Sequence, residues 1–371
     1  MKILLLGGDE KILQGGSDSQ KRLACYGLLA EQIYIVIFSA SKIQPQQIGN
    51  VFIYSSGGCR RPTALFKGYF LAKNLIKQEK IGVVSSQDPF ESAWVAHLLQ
   101  KSCSIKLNIQ IHGDFFSQNF WRQQKWLNFF RYYEAVWLLK KADSLRAVSG
   151  RVKKSLIDKL KISAEKIIVA PIYSDFFSLG AAPATKPSFD SLKPFIFLTV
   201  ARLSQEKNLP MALRAFSKLR QDSRGAVLRI AGEGRERKNL EGLARKLKIQ
   251  DKVEFLGWLN KEALCSEYRI ADCFLLASDF EGWGLALLEA AYFSLPIVMT
   301  EVGVCGEIFQ PKNDALCSSP RDEQKFLVNM QRVFSDMVLR ELLGQNAKTA
   351  LAKLLTKEQT MELYKEAWFL N

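Results

Sequence analysis

Short apolar runs alternate along this chain with longer stretches of helical period. In the first half the candidate strands are Lys2–Leu6, Ile33–Ser39, Val51–Ser55, Gly82–Ser86, Asn108–His112, Ser144–Val148 and Ile167–Pro171. Each is short, aliphatic or β-branched, and followed by Gly, Ser, Asp or Pro. A second series runs through Phe195–Val200, Val227–Ala231, Lys252–Leu256, Cys273–Ala277, Ile297–Thr300 and Ala315–Ser318. Between the two series lies Ser178–Pro194, with three prolines and no period, which reads as a linker. Such βαβ spacing predicts α/β architecture, two Rossmann-like domains facing each other across a cleft at the C-terminal ends of their sheets. The expected bounds are 1–178, a linker at 179–194, and 195–356. A closing amphipathic helix is expected over 357–371.

Residues 278–307 hold the most specific pattern. Glu281 and Glu289 are separated by seven residues, with Gly282 and Gly284 just after the first. An apolar strand leads in and an Ala/Leu-rich stretch leads out. A strand, a glycine turn and a helix is how an open α/β sheet offers backbone N–H groups to a phosphate. Glu281 falls in the turn, and Glu289 lies about two turns along the helix. Leu287, Leu288, Ala290 and Ala291 around Glu289 are core-like, so a carboxylate there calls for a partner. In Val200–Asn208 a strand end is followed by Arg202 and Lys207. Two cations at the edge of a parallel sheet suit a diphosphate, Arg as a fork and Lys as a flexible point charge. Alone they are an ordinary surface pair.

Together these stretches resemble the E-x7-E and R-L-x-x-E-K motifs of glycosyltransferase family 4, retaining enzymes of the GT-B fold. The resemblance covers 195–310 well and the first half in outline. It implies that Arg202 and Lys207 hold the donor diphosphate and that Glu289 takes the ribose hydroxyls. Glu281 would face the transferred sugar, while the N–H groups of Gly282, Trp283, Gly284 and Leu285 would meet phosphate and sugar. His112, one of two histidines, matches a family histidine near the donor sugar, and with Glu281, Arg202 and Lys207 completes the candidate catalytic set. Gly15 and Gly16 resemble the glycine loop that meets the acceptor, although about eight residues separate them from their strand. Gly232-Glu233-Gly234 and Leu256–Leu259 would lie near the nucleobase, and Val302–Glu307 would give a supporting turn. The closing helix would cross back onto the first domain. Departures are Trp283 for Phe, Ala286 for Pro, Ser294 for Gly, and Ser174-Asp175 at a hinge that usually reads N-G-V-D.

Charge adds a partner question. The 371 residues carry a net +15, and residues 1–180 hold 25 Lys+Arg against 13 Asp+Glu. A basic half suggests an anionic partner such as a membrane surface, a lipid phosphate or nucleic acid, unless it is simply a solvated surface. Phe115–Lys141 is crowded with aromatics and cations. A long helix packing its aromatics inward is the leading reading, an interfacial element the alternative, and both can hold for opposite faces. Seven cysteines without a C-x-x-C pair read as buried thiols of a reducing compartment. MKILLLGGDE reads as a strand and not a leader, so a cytoplasmic protein is expected, peripheral at the inner membrane face at most.

The expected function is transfer of a sugar from a UDP- or GDP-linked donor to a glycan or lipid-linked acceptor. No cofactor or metal is expected, since the chain has no D-x-D and no acidic cluster with ligand spacing. The alternatives are a sugar-nucleotide epimerase on the same scaffold, or a non-enzymatic protein binding nucleic acid or a membrane surface. No nucleic-acid module supports the former of these last two.

Overall fold

A computed structural model describes residues 1–116, 120–124, 126–173, 193–219 and 225–370. The chain divides into two compact units, Met1–Ile172 with Leu355–Asn371, and Tyr173–Leu354. Most of the expected linker, and Ser174-Asp175, lie outside the described residues.

The first unit is an eight-stranded sheet. Its strands are β1 (Lys2–Gly7), β2 (Gln32–Ile37), β3 (Gln46–Ile48), β4 (Val51–Ser55), β5 (Val83–Ser86), β6 (Lys106–Ile111), β7 (Ser144–Ala147) and β8 (Ile167–Val169). They lie in the order β3-β4-β2-β1-β5-β6-β7-β8. All pairs are parallel except β3–β4, where Gln46 faces Ile53 and Ile48 faces Val51. The central strands read as near-continuous apolar runs because a parallel sheet is covered on both faces. Leu4, Leu5 and Leu6 of β1 and Ile35, Val36 and Ile37 of β2 are all buried. β3 escapes a reading from pattern because Gln-Gln-Ile is polar and three residues long.

The helices of this unit are α1 (Asp18–Tyr26), α2 (Arg61–Glu79), α3 (Glu91–Cys103), α4 (Phe120–Gln124), α5 (Trp126–Lys141) and α6 (Gly150–Leu160). α2, α3 and α5 lie side by side, joined by the Tyr69–Ser102 hydrogen bond at 3.2 Å and the Trp94–Trp137 ring contact at 5.4 Å.

The second unit is a six-stranded, wholly parallel sheet in the order β11-β10-β9-β12-β13-β14. Its strands are β9 (Phe195–Val200), β10 (Ala226–Ala231), β11 (Val253–Gly257), β12 (Cys273–Leu276), β13 (Ile297–Thr300) and β14 (Leu316–Ser318). Its helices are α7 (Leu209–Ser217), α8 (Arg237–Lys246), α9 (Lys261–Ile270), α10 (Leu285–Tyr292), α11 (Glu323–Ser335) and α12 (Met337–Ala350). Phe195, Phe197, Phe216 and Phe334 centre its core with Leu213 and Met330. In both sheets the winding reverses once, between β1 and β5 and between β9 and β12. Loops on either side of such a switch point diverge and leave a crevice.

The closing helix α13 (Lys357–Phe369) packs on the first unit. Tyr364 stacks on Tyr26 at 4.8 Å and shares a 3.0 Å hydroxyl contact with it. Asn108 and Ser144 donate to the Ala367 carbonyl at 2.9 and 2.7 Å. The thiols are less uniformly buried than expected, with Cys59 exposed and Cys265, Cys273 and Cys305 buried.

Ser294, which stands where the family usually has glycine, adopts φ +57°, the left-handed region. Its carbonyl lies where a Cβ on Gly344 would come within 2.2 Å, so that glycine is required by close approach. Ser294→Gly is expected to raise stability by about 0.5–1 kcal/mol, the relief of a left-handed non-glycine less the entropy glycine adds to the unfolded chain. Urea unfolding checks this, and a loss of stability would show that the hydroxyl matters more than the backbone.

Candidate functional site

Two loops of the second unit meet at its switch point. β9 runs into Ala201–Asn208, and β12 runs into Ala277–Gly284. Lys207 closes a single-turn 3-10 helix, Gln205–Lys207, and Asn208 stops it at φ +43°. Asn and Asp tolerate that conformation better than other side-chain-bearing residues. From there Lys207 Nζ reaches Glu281 Oε1 at 2.5 Å, and Ser278 Oγ donates to the same oxygen at 2.9 Å. The residues that the sequence singled out from two distant stretches thus form one ion pair.

Asp279 ties the loops together. Its N–H donates to the Glu206 carbonyl at 2.8 Å, and its Oδ1 accepts from Asn208 Nδ2 at 3.0 Å. Its Oδ2 takes Arg321 Nε and Nη2 at 3.2 and 3.1 Å. Burial pushes this carboxyl above its ordinary pKa, and the Arg321 guanidinium works against that rise. Sequence reasoning passed over Asp279, Asn208 and Arg321. Only the Asn-Leu-Pro step before α7 gave a signal, since Asn suits a left-handed cap and Pro the first helical turn.

Three glycines permit this arrangement. A Cβ on Gly234 would sit 2.2 Å from the Leu203 carbonyl, and one on Gly232 would sit 2.0 Å from that of Ala201. The Gly-Glu-Gly turn after β10 is therefore packed backbone to backbone on the loop that carries Arg202. Gly303, at φ +56°, packs the same way on the Trp283 carbonyl, and Val304 N–H donates to that carbonyl at 3.1 Å. Val302–Glu307 thus supports the Glu281–Gly284 turn directly.

Arg202 is exposed and pairs with Glu206 at 3.0 Å, one helical turn on, and not with Glu281. Gly284 caps α10 at φ +94°, so Leu285 opens the helix and the first N–H groups point out of its N-terminus. Trp283 is buried, and its indole N–H has no hydrogen-bond partner among the described residues. Glu289 has the partner its setting called for: Tyr268 of α9 donates to its Oε2 at 2.8 Å. Burial pushes the Glu289 carboxyl up, opposed by that hydrogen bond, and the Tyr268 hydroxyl is driven well above its usual value.

In the first unit a cavity of about 470 Å³ opens at the other switch point. Gly7 and Gly8 after β1, Gln87 and Asp88 after β5, Arg22 of α1 and His112 after β6 help line it. Gly15 and Gly16 do not line it; they are exposed ahead of α1, where Gly16 takes φ +76° and donates to Gln20. His112 Nδ1 lies 3.5 Å from Arg146 Nη1. An arginine only donates, so Nδ1 accepts and the ring proton sits on Nε2. Burial first, then Arg146 and Arg22, push the His112 pKa down to about 3, which leaves it neutral at physiological pH. Arg146 is fully buried, donates to Ala170, Pro171 and Gln110, and lies 4.0 Å from the Tyr364 ring centre. Among the described residues no group of three or more His, Cys, Asp or Glu is arranged to hold a metal ion.

Comparison with known proteins gives the family and the fold. Residues 184–350 match the family model described as glycosyl transferases group 1, and residues 27–172 match glycosyltransferase family 4. Between them the matches take in most of the chain. An uncharacterized glycosyltransferase of Methanocaldococcus jannaschii is 31% identical over 176 residues, 46% of this chain and 45% of that protein. The chain spans about half the length of the curated relatives it matches. Sucrose-phosphate synthase from Thermosynechococcus elongatus superposes with a TM-score of 0.81 at 18% identity, over 99% of this chain and 98% of that one. Anabaena HepE in complex with UDP-glucose gives 0.75 at 15% identity, over 98% of each chain. At such identities the likeness is one of fold, and the fold is GT-B. The chain belongs to the group 1 glycosyltransferases of family 4.

Glu289→Gln separates the burial of charge from the loss of a partner, since the amide oxygen still accepts from Tyr268. A carboxyl whose folded pKa is raised destabilises the fold once both states are ionised and contributes nothing when both are protonated. The variant is therefore expected to be more stable than wild type at neutral pH. That gain should shrink as pH falls through the raised folded value toward the ordinary carboxylate pKa, about 4.3. Urea unfolding across pH tests it, and a pH-independent difference would rule out the charge as its source.

Proposed function

We propose that this chain is a retaining glycosyltransferase that moves a sugar from a nucleoside-diphosphate sugar, UDP- or GDP-linked, to a glycan or lipid-linked acceptor. The observation that carries this reading is the Lys207–Glu281 pair at the switch point of the second sheet. A cation and an acid held together beside a helix N-terminus are a stand-in for the ligand itself. The arriving diphosphate replaces Glu281 on Lys207, Arg202 turns from Glu206 to the same phosphates, and Glu281 is released toward the sugar hydroxyls. N–H groups of Gly282, Trp283, Gly284 and Leu285 meet the phosphate end. Glu289, held by Tyr268, accepts the ribose hydroxyls.

As the glycosidic bond breaks, negative charge grows on the departing diphosphate, and Lys207 and Arg202 stabilise it. The acceptor oxygen attacks from the face the diphosphate leaves, so the anomeric configuration is kept. In this reading side-chain cations, not a metal, carry the diphosphate charge. Neutral His112 offers its Nε2–H to a sugar hydroxyl. For the acceptor, the lining of the first unit's cavity supports Gly7, Gly8 and Arg22 as contacts ahead of Gly15 and Gly16. HepE, whose structures hold UDP and UDP-glucose, supports a uridine nucleotide as the first ligand to try.

Calorimetry with UDP and GDP, in EDTA, is expected to show binding of one of them. Arg202→Ala and Glu289→Ala should each weaken it by roughly 10–100-fold, the loss of a charged hydrogen bond. Glu281→Ala, which frees Lys207 before the nucleotide arrives, should bind it at least as tightly as wild type does, while turnover falls by about two to three orders of magnitude. Equal nucleotide affinity in wild type and Glu289→Ala would sink the ribose assignment.

A further inference from the structure

α5 has two apolar faces. One is core: Ala135, Leu138 and Leu139 are buried. The other carries Trp126, Phe129, Phe130, Tyr133 and Trp137 at helical spacings of three and four, and all five are exposed. Trp126 is 73% and Phe130 61% exposed. Four of these rings lie against one another, with Phe129–Tyr133 at 5.1 Å and Trp126–Phe130 at 5.9 Å, and Trp137 lies against Trp94 and His97 of α3. The inward-packing reading of this aromatic stretch thus holds for one face only.

The stripe has a neighbour. α2 exposes Phe66, at 66%, and Phe70, whose rings touch at 4.9 Å, and α3 between them exposes Leu98. Both aromatic stripes end in lysines. Lys73 and Lys77 continue the α2 stripe, and Lys140 and Lys141 close that of α5, where Lys141 Nζ lies 5.7 Å from the Trp137 ring centre. Across α2, α3 and α5 there are eight Lys and Arg against three Glu. Two of the acids are already occupied, Glu91 by Arg61 and Arg131, and Glu79 by Lys2.

We propose that the outward face of α2, α3 and α5 docks on an anionic lipid bilayer. Rings of Trp, Phe and Tyr partition into the headgroup boundary, and lysines beside them meet lipid phosphates. A patch of exposed apolar rings this wide marks an interaction surface on a soluble domain. Its charge selects the occupant. A second copy of this chain would bring lysines against lysines, and like charges across an interface disfavour it. An anionic surface answers rings and lysines together. Among the described residues no helix is long and apolar enough to cross a membrane, so the contact is one of lying on the bilayer. The inference stands apart from the transfer reading, because vesicle binding needs no donor and no turnover.

Sedimentation of the full chain with vesicles of phosphatidylcholine, and of phosphatidylcholine mixed with phosphatidylglycerol, tests it. Tighter binding to the mixed vesicles by about tenfold or more, reduced by salt, is expected. Lys140→Glu with Lys141→Glu should erase the preference, and Trp126→Ser with Phe130→Ser should lower binding to both vesicle types. Circular dichroism shows that each variant is folded, and Lys140→Gln with Lys141→Gln, which only removes charge, gives an intermediate loss. Failure of wild type to bind the mixed vesicles overturns the proposal. So does a concentration-dependent dimer that Trp126→Ser with Phe130→Ser dissolves, which would assign the face to a second copy.

Discussion

Asp279 is the constraint on which the site of the second unit depends. Its N–H and Oδ1 tie the loop after β12 to the loop after β9, and its Oδ2 takes Arg321 from the stretch after β14. Each loop has backing of its own, but parallel strands at a switch point send their connections in opposite directions, so the two need a tie to each other. With the two loops tied, Lys207 and Glu281 face each other at contact distance. The glycines at 232, 234 and 303 let backbone approach backbone behind them. The candidate site side chains are therefore positioned by main-chain packing, and most of that packing would not survive a single added methyl group.

The two units solve the same problem with different charge. At the switch point of the second sheet, cations are paired with acids, Lys207 with Glu281 in a half-buried place and Arg202 with Glu206 nearer the surface. In the first unit His112 and the Arg146 beside it are held away from such exchange. His112 is kept neutral, and Arg146 spends its donors on carbonyl oxygens and its face on Tyr364. The guanidinium beside the imidazole, after burial itself, is part of why His112 does not take a proton.

Departures from the family pattern have local causes. Ser294 keeps the left-handed turn that glycine usually makes, because its carbonyl is locked over Gly344. Trp283 fills a buried place in the turn and leaves its indole N–H without a protein partner among the described residues. β3 is an edge hairpin strand whose residues carry no pattern, and it forms because the turn at Gly49 folds it back on β4. A three-residue polar strand owes its existence to its neighbour.

By itself, the sequence determined the two parallel sheets, nearly every strand within a residue or two, and the stretches that carry the site. Apolar runs of strand length mark sheets covered on both faces, and Glu281, Glu289, Arg202 and Lys207 stand out as charges set in apolar surroundings or at strand ends. Partners were decided only by the tertiary structure. Nothing local joins Lys207 to Glu281, Glu289 to Tyr268, or Asp279 to Arg321, because each pair comes from elements that the crossovers bring together. The same holds for Gly7 and Gly8, which line the cavity that Gly15 and Gly16 miss, and for the aromatic face of α5. Helical period shows that rings share a face; which face meets the sheet depends on what the sheet presents to it.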